Sequence, residues 1–172
     1  MKRIFVLLFA MFSLMMNYSC TSETNVSTGN PLLDEWTSDK NIPPFDKIRA
    51  EHFEPAFEIA MQMHDDEIAA IVRSSEEPTF DNVILALDNS GIKLSQINYL
   101  FGMLSASDLD EQMQQVQEKM MPRLEEHFNS IMLNDSLFRR VKAVYDKRAE
   151  LKLDELQTRL LDKTYNKFVR SG

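Results

Sequence analysis

The sequence contains a single cysteine, Cys20, in 172 residues. That excludes an intrachain disulfide framework and any cysteine-based zinc site. Glycine (4 residues) and proline (6) are too scarce for a collagen-like or low-complexity chain. Basic residues are outnumbered, 19 to 27, for a formal charge of -8. This argues against a nucleic-acid partner, because phosphate affinity depends on clustered Lys and Arg. No segment alternates apolar and polar residues long enough to mark a strand, and no repeat period is evident. There is no Gly-rich phosphate loop, no Gly-x-Ser-x-Gly elbow and no His-Glu-x-x-His. Hydrophobic residues still make up 44%, so the composition is that of a folded, mostly helical domain.

What is present begins with an address. Lys2 and Arg3 precede an apolar run, Ile4 to Met16, interrupted only by Ser13. The run is shorter than the roughly 20 residues of a membrane-crossing helix and has the length of a signal-peptide core. Cys20 follows directly after the small residue Ser19, a placement that resembles the acylated cysteine of a bacterial lipoprotein signal. The alternative is an ordinary secretory signal with an incidental cysteine. Residues 1–19 are therefore read as the signal, 20–29 as a polar tether and 30–172 as the helical region. Cleavage before Cys20 removes two basic residues and no acidic one, taking the charge from -8 to -10. The expected location is the cell envelope, anchored to a membrane and facing the periplasm.

Pro31, Pro43 and Pro44, with Leu32, Leu33, Trp36 and Phe45 between and beside them, predict an irregular arm held by apolar anchors. Helical spacing starts near Arg49, with Pro55 in a first turn and Phe57, Ala60, Met61, Ile68, Ile71 and Val72 available for burial. Thr79 predicts an N-cap for a second helix, whose stripe (Phe80, Ile84, Leu87, Leu94, Ile97, Phe101, Leu104) runs through Gly91 as a point of close packing or slight bend. Ser107 or Asp108 is the expected cap of a third helix, with the stripe Leu109, Met113, Val116, Met120, Leu124, Phe128 and Ile131 and a kink at Pro122. Asn134 or Asp135 caps a fourth, and a fifth begins near Leu153 with Leu156, Leu160, Leu161, Tyr165, Phe168 and Val169. The fold class is all-α, antiparallel helices packed along their apolar stripes. Seven methionines beyond the signal read as flexible core filler rather than as a binding groove.

Chemistry is sparse. His52, His64 and His127 begin no zinc-peptidase motif, and none is preceded at i−3 by the Glu of a helical di-iron site. His64 and Glu67 are spaced to share a metal, but His64-Asp65-Asp66-Glu67 reads as a solvated, charged helix face. Glu125 and Glu126 beside His127 point in different directions on a helix and make no acid-base cluster. Arg139, Arg140, Lys142, Lys147 and Arg148 read as a solvated basic side.

A series of short motifs runs through the helical region. They are Asn30-Pro31-Leu32-Leu33, Pro43-Pro44-Phe45-Asp46-Lys47-Ile48, Glu51-His52-Phe53-Glu54-Pro55-Ala56-Phe57 and Pro78-Thr79-Phe80-Asp81-Asn82. Lys142-Ala143-Val144-Tyr145 and Phe168-Val169-Arg170-Ser171-Gly172 follow. In this order they resemble the N-terminal region of the peptidyl-dipeptidase Dcp branch of the thimet oligopeptidase family of zinc metallopeptidases. The resemblance implies one lobe of a larger helical, channel-containing enzyme that removes dipeptides from the C-termini of short peptides. In that family zinc sits on a His-Glu-x-x-His helix, which these 172 residues lack. No catalytic, cofactor-binding or metal-binding residue is therefore expected here, zinc belongs to the full-length relatives, and Cys20 is the one assigned residue, for lipidation. The chain is expected to be a truncated channel-wall segment, inactive alone and with apolar stripe residues left bare. The alternative is a free-standing helical lipoprotein that binds peptides or a protein partner without catalysis.

Overall fold

The computed structural model describes residues 29–36, 42–107 and 110–171. Cys20, the signal and all of the tether but Gly29 lie outside the described residues, as do Asp108 and Leu109. A 3-10 turn, Ala50–His52, leads into α1 (Phe53–Arg73). A π-helical segment, Phe80–Leu85, runs into the short α2 (Ala86–Asp88). Then come α3 (Ile92–Ser107), α4 (Glu111–Met132), α5 (Asp135–Asp146) and α6 (Glu155–Ser171). The described residues contain no strand, and none of their helices is long and apolar enough to cross a membrane.

Several helix starts follow the side chains that cap them. Thr79 accepts from the Asn82 backbone N–H (3.1 Å), and the Asn82 side chain accepts from the Thr79 N–H (2.8 Å), a reciprocal box that satisfies two otherwise orphaned donors. Asn134 accepts from the Leu137 N–H. The third predicted cap is displaced: Asp110, not Ser107 or Asp108, takes the first-turn N–H of α4, from Met113. The predicted second helix is two elements. Gly91 has φ +68°, a conformation that ends one helix and that only glycine adopts without strain, so the chain turns there instead of bending. α4 runs through Pro122 without ending; the proline faces solvent, where water can take the carbonyl its missing N–H leaves free.

Helix direction follows from these breaks. Phe101 of α3 packs on Phe53 and Phe57 of α1 (centroids 5.1 and 5.6 Å), while Gly91 at the start of α3 meets Glu67 further along α1. α3 is thus antiparallel to α1. α4 reverses again, so α1 and α4 run parallel, tied by Glu54–Lys119 and by Glu58–Arg123 at 2.7 Å. These exposed pairs add little, about 0–1 kcal/mol each, but they record the register.

The core is divided. One cluster joins the N-terminal arm (Leu32, Ile48) to Phe53, Phe57 and Met61 of α1, Leu94, Ile97 and Phe101 of α3, and Met113 to Leu124 of α4. The arm's real anchors are Leu32 and Ile48, with Trp36 partly covered; Phe45 is exposed. The other cluster joins Ile68 and Ile71 of α1, Val83 and Ile84, Ile131 of α4, and α5 with α6 through Leu137, Val141, Leu161 and Phe168. Each large side chain so buried contributes about 1.5–3 kcal/mol. Arg140 is not a solvated base as expected: its guanidinium donates to the Ser74 and Glu76 carbonyls (2.8 and 3.1 Å) at the C-terminal end of α1, where the helix dipole favours a cation. Lys147 likewise pairs with Glu77, and Arg148 lies over the Tyr145 ring. Some predicted stripe residues stay bare, among them Leu156, Val169 and Phe128, and α3 turns Ile92, Tyr99 and Met103 outward.

Candidate functional site

Two of the three histidines meet at the boundary between the two clusters. His64 lies on α1 between Met61 of the first cluster and Ile68 of the second, and His127 on α4 between Leu124 and Ile131. They are 6% and 8% exposed. His64 Nδ1 and His127 Nε2 are 3.0 Å apart, across the α1–α4 contact. The solvated face expected for His64 to Glu67 is therefore confined to Asp65, Asp66 and Glu67, which are exposed while His64 turns inward. Glu125 and Glu126 are exposed as well, and His127 takes the buried position predicted for Phe128.

Hydrogen-bond accounting orients the protons. The Ser90 hydroxyl donates to the Leu87 carbonyl at 2.8 Å, since a carbonyl only accepts. Having one hydrogen, it must accept from His64 Nε2, 3.2 Å away. Nε2 thus carries the proton of a neutral His64, and its bare Nδ1 accepts from His127 Nε2–H. His127 Nδ1 faces the Asp65 carboxylate at 3.5 Å. The result is one directed line of donors, from His127 through His64 to Ser90 and the Leu87 carbonyl at the short α2, with the Asp65 carboxylate beside its His127 end.

The turn around Gly91 is fitted to this line. Its N–H donates to Glu67 Oε2 at 2.7 Å, which places an anion near the start of α3. A Cβ on Gly91 would stand 2.8 Å from two atoms of the His64 ring, so glycine is required by space as well as by φ. Glu67 and His64 do not share a ligand: one turns to Gly91 and the other to His127. His52, the third histidine, has a local role, its Nδ1 accepting from the Arg49 N–H at 3.0 Å.

The charge state of His64 is constrained. Burial pushes its proton affinity below the ordinary imidazole value, and the neighbouring His127 and Lys167 push the same way, while Glu67 and Asp65 oppose them. A second proton would also set a donor on Nδ1 against the His127 donor.

These residues do not fit a zinc site. Both His64 nitrogens are engaged by His127 and Ser90, and Glu67 is engaged by a backbone N–H. Among the described residues no three His, Cys, Asp or Glu side chains are grouped so as to hold a metal. No protein-family model matches the chain. Over 147 residues it is 37% identical to the dipeptidyl carboxypeptidase of Escherichia coli K12, covering 86% of this chain. Over 143 residues it is 37% identical to that of Salmonella typhimurium LT2, covering 83%. The chain is a relative of the dipeptidyl carboxypeptidases. It matches their N-terminal part and spans about a fifth of their length, 22% and 21% respectively. As such it is a peptidase-like segment, and the buried histidine line is its most developed polar feature.

The line has a measurable consequence. In the unfolded chain His64 takes its proton near 6.5; in the fold it resists doing so. The stabilisation is fully present above that value and is lost as pH falls from about 6.5 through the lower folded value. The urea midpoint should fall between pH 7.5 and pH 5, and His64→Gln should remove most of that dependence. An unchanged midpoint in the parent protein over this range would contradict the assigned protonation.

Proposed function

We propose that this chain forms the N-terminal helical part of a zinc-dependent peptidyl-dipeptidase, where it builds the wall of a channel that admits short peptides. The observation that carries the reading is the 37% identity over 147 residues to the Escherichia coli dipeptidyl carboxypeptidase, combined with coverage of only 22% of that protein. In such an enzyme the zinc and the carboxylate that activates its water would come from other residues, because the imidazoles here are committed to each other and to Ser90. Zinc would supply a polarised, readily deprotonated water. What these residues contribute is a preformed scaffold: α1, α3 and α4 in fixed register, with the turn at Gly91 locked on His64.

On this reading the chain does not hydrolyse peptides by itself. Incubated with a short N-blocked peptide and added zinc, it should release no C-terminal dipeptide. Release abolished by a chelator would overturn this reading and reopen the roles of His64 and His127.

The anchoring proposal rests on sequence alone. Cys20 would carry the acyl chains, and the polar residues after it would hold the helices at a membrane surface in the cell envelope, facing the periplasm. Expressed in a bacterial host, the protein should take up labelled palmitate and sediment with membranes. Cys20→Ser should be unlabelled and soluble; a labelled or membrane-bound variant would refute the assignment.

A further inference from the structure

For so acidic a chain, α6 carries an unusual stripe. Arg159, Lys163, Lys167 and Arg170 recur at steps of four, four and three residues, which places them along one side of the helix. None of the four has an ion-pair partner among the described residues, whereas Lys119, Arg123, Lys142 and Lys147 each hold a carboxylate. Lys163 and Lys167 border a cleft of about 240 Å³ between α6, the residues around Ser90 and the end of α4. Ser95 and Thr164 also line it, and their hydroxyls make no hydrogen bond among the described residues. The buried His64 ring closes it from within. Asp88 is the single carboxylate on the lining, and it forms no ion pair with either lysine. The remaining wall is largely apolar, with Phe128, Met132 and Leu160.

We propose that this cleft binds a small organic carboxylate. Two ammonium groups and two hydroxyls are uncommitted donors around one space, the arrangement a carboxylate group satisfies with charge-assisted hydrogen bonds. The apolar wall suits a short hydrocarbon body and distinguishes such a ligand from a bare oxyanion. Asp88 on the lining disfavours a second negative charge. The cationic stripe beyond the cleft raises the local concentration of anions. The inference is independent of the peptidase reading, since it uses neither zinc nor a peptide.

The test is an amide NMR titration of the protein with butyrate, against sodium chloride at matched ionic strength and against inorganic phosphate. Butyrate should cause saturable shifts confined to residues near 88–95 and 163–168. The double variant Lys163→Ala/Lys167→Ala should weaken them by about tenfold or more, the size expected for losing hydrogen bonds to charged donors. Lys152→Ala, an exposed cation away from the cleft, should leave them unchanged. The folding of the double variant is checked by its unshifted amides elsewhere. Equal shifts with chloride, or undiminished binding in the double variant, would overturn the site. Phosphate binding as tightly as butyrate would overturn the assignment of an organic carboxylate.

Discussion

The structure depends on the contact between His64 and His127. Two imidazoles have been taken out of water at the centre of a helical packing, and one nitrogen of each is satisfied there by the other. Buried polar groups without partners cost about 1–3 kcal/mol each, so α1 and α4 must lie at a spacing and register that keep the two rings within 3.0 Å. The Ser90 hydroxyl, the glycine at position 91 and the carboxylates of Asp65 and Glu67 are arranged around that requirement. A purely apolar interface would tolerate a range of rotations of one helix on another; a hydrogen-bonded pair between them does not.

The same contact explains why the core is divided. Above it, the arm, α1, α3 and α4 close around three phenylalanines, Phe53, Phe57 and Phe101. Below it, the ends of α1 and α4 pack with the π-helical segment, α5 and α6. α1 and α4 are the helices that belong to both halves, and the histidine line crosses between them at the joint. In a segment that matches about a fifth of a longer peptidase, such a joint fixes how the two groups of helices are set against each other.

Much of the fold was legible. Thr79 and Asn134 cap helices because their side chains accept N–H groups that nothing else would, and the stripe Met113, Val116, Met120, Leu124, Ile131 is buried as its spacing requires. The histidine pair was missed for a specific reason. In sequence His64 groups with its charged neighbours Asp65, Asp66 and Glu67, yet it stands three residues after Met61 and four before Ile68, squarely on the buried stripe. His127 stands three after Leu124 and four before Ile131, and the adjacent, more hydrophobic Phe128 masks that position. Two histidines on the apolar stripes of two helices were a sequence-level signal of a buried pair. Their meeting each other is not readable, because it depends on α1 and α4 running parallel, which takes two reversals, one at Gly91 and one between α3 and α4. The family was readable only from the order of its short motifs.

The central claim is tested most directly by long-range nitrogen–proton NMR of the imidazole rings at pH 7.5. The account predicts that His64 is the neutral tautomer protonated at Nε2, with its Nδ1 receiving the His127 Nε2 proton in a bond slow to exchange with water. A His64 ring that interconverts freely between tautomers, with both imidazole protons exchanging at solvent rates, would contradict it.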